Sequence, residues 1–246
     1  MPDIENNAVK YNPAFYKYFR NLSYSSAREI VPLILRLIPI TSVCDIGCGD
    51  GTWLRVFREQ GVTDTLGVDG EHVSRDLFQI SVSDFQPMDL RHQISLSRSF
   101  DLAISLEVAE HLPESRAASF VEELTRLAPV VLFSAAIPGQ GGRGHVNEQW
   151  QTYWTLIFSQ CNYTVCDVVR PIIWKNRRIA YWYRQNILLF CDRHSLETVP
   201  ELAGSPHSLR LPLVHPEQLV FPDALRAAII AAPKYARESL KRFLKK

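Results

Sequence analysis

The sequence predicts a doubly wound α/β fold, with a mostly parallel seven-stranded sheet, helices on both faces and an antiparallel strand at one edge. Three observations predict it. Short apolar runs of strand length alternate with amphipathic runs of helix length, the pattern of repeated βαβ units. A glycine-rich turn in "VCDIGCGDGTWL", Val43 to Leu54, joins the first apolar run to the helix after it. Two late runs, "YTVCDVVRP" and "YRQNILLFC", follow one another without a long helix between them, which reads as an antiparallel pair at the sheet edge.

Each element has a local reason. In "SSAREIVPLILRLIPI", Ser26 and Glu29 read as a capping box, Ile30, Leu33, Ile34 and Leu37 form an apolar face, and Pro32 predicts a kink. "SVCDI" is a buried strand, and "TWLRVFREQ" a helix closed by Gly61. "TLGVDG" is the second strand, "FQISV" the third and "FDLAISLE" the fourth. A helix then starts near Pro113 with the stripe Phe120, Val121, Leu124 and Leu127, and "VVLFSAA" makes the fifth strand. "GQGGRG" is a flexible loop and "NEQWQTYWTLIFSQ" a helix. The closing "PKYARESLKRFLKK" carries six basic residues against one acid and reads as a solvated helix face.

Composition narrows the function. At 246 residues the chain has room for one α/β domain with a tail. Its 27 Lys and Arg against 26 Asp and Glu create no global field toward nucleic acid or an anionic membrane. A small-molecule partner is therefore expected, with no nucleic acid and no membrane. The five cysteines, Cys44, Cys48, Cys161, Cys166 and Cys191, match neither a disulfide framework nor a zinc ribbon. The N-terminus lacks an apolar targeting region, and no apolar run reaches the length of a membrane span. A reduced, cytoplasmic protein is the expectation.

The glycine turn limits the ligand. Gly47, Gly49 and Gly51 let the backbone approach a ligand at the carboxyl edge of the sheet. Thr52 stands where a dinucleotide site would place its third glycine, and Asp45 and Asp50 would repel a pyrophosphate at the helix N-terminus. A ligand without phosphate fits better. S-adenosylmethionine is one: it carries a sulfonium, an ammonium and a ribose with two free hydroxyls.

"CDIGCGDG" followed by "GVDG" resembles the first two motifs of the class I S-adenosylmethionine-dependent methyltransferases. The resemblance implies their Rossmann-like fold and a division into an N-terminal helical lid (1–40), a methyltransferase domain (41–191) and a C-terminal extension (192–246). It implies that Asp69, 22 positions after Gly47, accepts the ribose hydroxyls beside Gly70. In "SDF", Asp84 and Phe85 look like the adenine contacts, and Asp45 would orient the methionine end. Tyr16, Phe19 and Tyr24 are candidates to lie over the cofactor.

The acceptor side is read from "SLEVAEHLP" and "GHVNEQW", which bring Glu107, Glu110, His111, His145 and Glu148 toward one mouth. In one reading a histidine is the general base, His145 ahead of His111 because a mobile loop carries it, while Glu107 contacts the cofactor. In the alternative, Glu107, Glu110, His111 and His145 ligate a divalent metal that acidifies an acceptor hydroxyl. That pattern resembles the small-RNA 3′-terminal 2′-O-methyltransferases. In a third, the histidines only pack.

The combination "SLEVAEHLP", "LFSAAIPGQGGRGHVNEQWQTYW" and "WYRQN" is similar to a methyltransferase subgroup found beside natural-product and carbohydrate biosynthesis. It implies methylation of a small polar or glycosidic acceptor on oxygen. An N-methyltransferase, a metal-dependent RNA-end enzyme and a non-catalytic binding module are the alternatives. Trp150, Tyr153, Trp154, Trp174, Trp182 and Tyr183 are candidates for an acceptor wall or for core. Arg184, Gln185 and Asn186 either satisfy a buried network or meet the acceptor.

Overall fold

The computed structural model describes residues 13–71, 73, 75–203 and 212–220. Helix α1 (Pro13–Leu37) leads to β1 (Ser42–Ile46), α2 (Thr52–Glu59), β2 (Asp64–Asp69) and β3 (Phe85–Pro87). Next come β4 (Leu102–Leu106), α3 (Ala117–Leu127), β5 (Val130–Ser134), α4 (Gln151–Gln160) and β6 (Thr164–Cys166). Short helices α5 (Arg170–Ile173) and α6 (Tyr181–Asn186) connect β6 to β7 (Leu188–Cys191). Helices α7 (Arg193–Thr198), α8 (Pro200–Ala203) and α9 (Pro216–Val220) follow.

The seven strands form one sheet in the order β3-β2-β1-β4-β5-β7-β6. The first five are parallel, and β7 runs antiparallel to both β5 and β6. The chain reverses its winding at β1, so the carboxyl ends of β1 and β4 flank the crevice where such sheets bind ligands.

Both faces of the sheet are covered, which is why its strands read as continuous apolar runs. Alternation sorts their side chains. Val43, Leu102, Ile104, Val130 and Leu132 face α1 and α2, where they meet Ile30, Ile34, Leu54 and Phe57. Cys44, Ala103, Val131 and Phe133 face α3 and α4, where they meet Phe120, Leu124, Trp154 and Phe158. No helix among the described residues is long and apolar enough to cross a membrane.

Two local expectations are corrected. Ser26 does not cap a helix, because α1 already runs through it; its Oγ donates to Leu22 O (2.7 Å) and accepts from Ala180 N (3.0 Å). Helix α1 runs through Pro32 and continues to Leu37. "FQISV" is not a strand. Ile80 points inward beneath the glycine turn, Val82 is half exposed, and Ser81 caps a 3-10 turn, so the run staples a loop. The third strand is β3, whose Phe85, Gln86 and Pro87 pair with Gly67, Val68 and Asp69. The side chains of Tyr16 and Phe19, and the basic C-terminal end, lie outside the described residues.

Phe158 is fully buried, stacks on Phe190 with ring centroids 3.8 Å apart and meets Phe133 edge-on at 5.4 Å. Phe158→Ala is expected to cost about 3–5 kcal/mol, since the packed sheet cannot collapse into the void. Urea unfolding monitored by circular dichroism checks this. A loss below about 1 kcal/mol would show that the face relaxes freely.

Candidate functional site

The glycine turn is fastened to the neighbouring strand. Gly47 N and Cys48 N both donate to Val68 O, at 2.8 and 3.2 Å. Gly47 has φ +88°, and a Cβ there would stand 2.3 Å from a Val108 methyl. Only glycine satisfies both conditions. Gly51, at φ +80°, starts α2 directly over Ile80. Asp69 closes the arrangement: Oδ2 accepts from Gly49 N (2.7 Å) and Oδ1 from Gly70 N (2.6 Å).

A crevice of about 910 Å³ opens at this edge, lined by Gly47, Asp69, Gly70, Glu107, Val108 and His111 on one side and Pro87 to Arg91 on the other. That is the size range of ligand pockets. The residues fit a nucleoside with a cationic tail: a backbone turn no side chain could fill, a carboxylate at the end of β2, and anionic surroundings. Asp45 lies beneath the turn, 3% exposed, and does not line the crevice. Burial, then the neighbouring Asp69 and Asp50 charges, hold its carboxyl well above the usual range. Asp50 instead pairs with Arg20 of α1 and accepts from the Thr52 N–H (3.1 Å).

Asp84 and Phe85 are not at the crevice. Asp84 precedes β3 and pairs with Arg58, while Phe85 packs on Phe78 at 4.6 Å. Because β3 starts at Phe85, its carboxyl end presents Met88, Asp89 and Leu90 instead. Asp89 accepts from Arg91 Nε (2.9 Å) and Nη2 (2.6 Å), a pairing that lowers its pKa to about 2. The missed signal is "PMDL", an acid just past a short extended run.

The acceptor edge begins where the chain leaves β4. Glu107 has φ +57°, a left-handed conformation that costs a non-glycine residue about 1–3 kcal/mol. Its N–H donates to Ser134 O (2.9 Å) and to Ser134 Oγ (3.1 Å). Its carboxylate accepts from Gln140 Nε2 (2.7 Å) and Asn186 Nδ2 (3.1 Å). Burial raises its pKa, and the bonds from Asn186, Ser134 and Gln140 offset part of that rise.

Glu110, His111 and His145 form a cluster whose ligating atoms lie within 4.8 Å of one another. Glu107 stands apart from it, so three of the four expected metal ligands come together. Glu110 is fully buried, and among the described residues no hydrogen bond of normal geometry reaches either carboxylate oxygen. Burial, then the Glu107 charge, pushes its carboxyl well above the usual range, and backbone N–H groups including that of Ala136 offset part of this. His111 lines the crevice with Nδ1 3.3 Å from Gly144 O; burial and His145 lower its pKa. His145 packs edge-on against it at 4.9 Å, outside the crevice lining, and donates from Nδ1 to Glu148 (2.8 Å). Glu148 also accepts from Gly139 N and Gly141 N.

None of the six aromatic candidates lines this crevice. Trp154 is core against Phe133, and Tyr183 is core against Trp53. Tyr24 packs at the margin of the core, its hydroxyl on Glu59. Arg184, Gln185 and Asn186 are buried in a polar network behind Glu107.

Asp45→Asn is expected to raise the stability of the ligand-free protein, increasingly so with pH. The folded pKa of Asp45 lies above its unfolded value near ~3.9, so the native chain holds the proton in that window and loses stability as pH rises through it. Thermal melts from pH 4 to 8 check this; a gap between variant and wild type that stays constant would overturn it.

Residues 14–165 match the sequence family described as "Methyltransferase domain". No curated protein matches the chain. Among solved structures, the sugar N-methyltransferase KedS8 from Streptoalloteichus sp. ATCC 53650 superposes with a TM-score of 0.56 at 14% identity, covering 78% of this chain and 97% of that one. The methyltransferase domain of bacterial CtHen1-CN gives 0.51 at 17% identity, over 70% and 100%. Magnesium protoporphyrin IX methyltransferase from Synechocystis PCC 6803 with bound S-adenosylmethionine gives 0.52 at 15%, over 78% and 100%. At these identities the superpositions establish a shared fold, and the family match covers more than half of the sequence. The chain belongs to the methyltransferase-domain family and is a class I methyltransferase that uses S-adenosylmethionine.

Proposed function

We propose that the acceptor is a small polar molecule, a sugar or natural product, methylated on a hydroxyl oxygen with His111 as general base. The observation that carries this reading is the 3.3 Å contact between His111 Nδ1 and Gly144 O at the crevice. Facing a carbonyl oxygen, Nδ1 keeps the proton and Nε2 keeps a lone pair at the crevice. His145 held this role in the sequence reading; its place behind His111 favours the latter.

S-adenosylmethionine supplies an electrophilic methyl group on its sulfonium. The chain's residues do the rest. Asp69 accepts the ribose hydroxyls, and Asp89 with Met88 takes the adenine end. Gly47, Gly49 and Gly51 supply backbone close to the methionine end, over the buried Asp45 carboxyl, and Glu107 faces the ammonium. His111 Nε2 removes the acceptor proton as the new C–O bond forms and the C–S bond breaks. The charge balance supports a neutral acceptor over nucleic acid. An amine acceptor is the alternative on the same geometry.

A second reading rests on Glu110. A fully buried carboxylate with no hydrogen bond of normal geometry, beside two histidines, fits a divalent cation. Each histidine has its Nδ1 on an oxygen, Gly144 O or Glu148, as metal-ligating histidines usually do. Glu110, His111 and His145 would hold the ion, which would acidify the acceptor hydroxyl directly.

Calorimetric titration of S-adenosylhomocysteine is expected to show saturable binding to wild type and a loss of roughly 100-fold or more in Asp69→Ala, the value of two hydrogen bonds to a charged group. Equal binding by both proteins would overturn the cofactor assignment. Manganese titration separates the two readings. No saturable isotherm supports His111 as a metal-free base, and His111→Ala should then lower turnover on a panel of hydroxyl acceptors by about 10²–10⁴-fold. A saturable isotherm abolished by Glu110→Gln supports the cation.

A further inference from the structure

Glu107 is held by Gln140 and by Asn186, and Asn186, with the Gln185 beside it, lies outside the matched family region of residues 14–165. Gln185 and Asn186 end α6, and the segment around His215 returns across them from the C-terminal side. His215 is buried, although it follows a stretch of chain with no strand signal. Its attachment combines a ring contact with Trp174 (4.7 Å) and several hydrogen bonds. Gln151 Nε2 donates to Leu213 O (3.1 Å), Arg184 Nη2 donates to Glu217 (2.8 Å), and His215 Nδ1 accepts from Glu217 N (3.2 Å).

The bonds that matter run inward from there. His215 N donates to Gln185 Oε1 at 2.7 Å. A side-chain amide can be turned end for end, but a backbone N–H cannot, so this contact settles which end of Gln185 faces the site. With its oxygen taken, Gln185 Nε2 points at Gln140 Oε1 (3.1 Å), Asn186 Oδ1 (3.1 Å) and Gln218 Oε1 (2.6 Å). Gln140 and Asn186, with their oxygens accepting, must present nitrogen to Glu107, and both do. One direction of donation therefore runs from the His215 backbone through three amides to both oxygens of Glu107.

We infer that the segment from Leu213 to Gln218 is a positioning strap of the active site, which keeps Gln140 and Asn186 turned as donors so that Glu107 meets the cofactor as an oriented acceptor. Without the strap, Gln185 is free to invert. Inversion would place its oxygen against the oxygens of Gln140 and Asn186, so the two amides that donate to Glu107 would lose their shared donor and their fixed position. The strap thus acts at a distance and touches no reacting atom. This rests on the reading that Glu107 faces the cofactor.

The test is a double-mutant cycle in the full chain, read by calorimetric titration of S-adenosylhomocysteine. Gln218→Ala, at the rim of the strap, is expected to weaken binding by about 3–10-fold, the worth of one hydrogen bond. Gln218→Glu keeps an acceptor for Gln185 and should retain most of the affinity. In the Glu107→Gln background, Gln218→Ala should change affinity by less than about twofold, since the group being positioned is gone. Amide hydrogen exchange of residues 107–111 without ligand gives the second readout and should quicken in Gln218→Ala. Equal losses in both backgrounds, or unchanged exchange together with unchanged affinity, would overturn the strap. If wild type binds no S-adenosylhomocysteine, the cofactor assignment fails by itself, and the exchange experiment still decides whether the strap governs Glu107.

Discussion

Concentrated negative charge at the carboxyl edge of the sheet is the constraint on which the rest of the site depends. Asp45, Asp50, Asp69, Glu107, Glu110 and Glu148 all gather there, and desolvated carboxylates must find donors or hold protons. The structure treats them differently. Asp69 takes two backbone N–H groups, Asp50 takes Arg20 and the start of α2, and Glu148 takes His145 with two glycine N–H groups. Glu107 takes two side-chain amides. Among the described residues Asp45 and Glu110 show no comparable partners, and burial pushes both pKa values well above the usual range.

This distribution suits a cofactor with two positive centres and no phosphate. Charge remains where the cofactor's cations belong, and backbone donors hold the carboxylates that have to keep a fixed direction. The same logic explains α1. It carries apolar residues into the core beneath the turn, and through Arg20 it brings a cation to Asp50 and to Leu77 O (3.0 Å). The helix before the first strand is therefore structurally part of the glycine turn.

Strain is placed with equal economy. Glu107 leaves β4 in a left-handed conformation, yet its N–H is bonded to Ser134 and its carboxylate to Gln140 and Asn186. A residue so over-determined keeps an unfavourable backbone geometry, and side chains needed for chemistry are commonly held this way. Gly47 solves the neighbouring problem differently, since Val108, one residue on from Glu107, closes against its Cα.

Local chemistry was enough to read the fold class, the glycine turn, Asp69 at the end of β2, and the histidines with their acids near one mouth. These signals are short-range: periodicity assigns faces, and a strand followed by glycines assigns an edge. The third strand escaped because "FQISV" has a better strand pattern than "FQP", and only pairing with Gly67 to Asp69 chooses between them. That choice puts Asp89 at the crevice and leaves Asp84 outside its lining. Tertiary structure alone decided that His111 lies at the crevice and His145 behind it, that Trp154 and Tyr183 are core, and that Glu110 is buried without a conventional partner. It alone brought His215 onto Gln185, 30 residues away. Sequence carries the propensity of each segment, but a buried polar group is defined by its partners, and those are supplied by packing between distant parts of the chain.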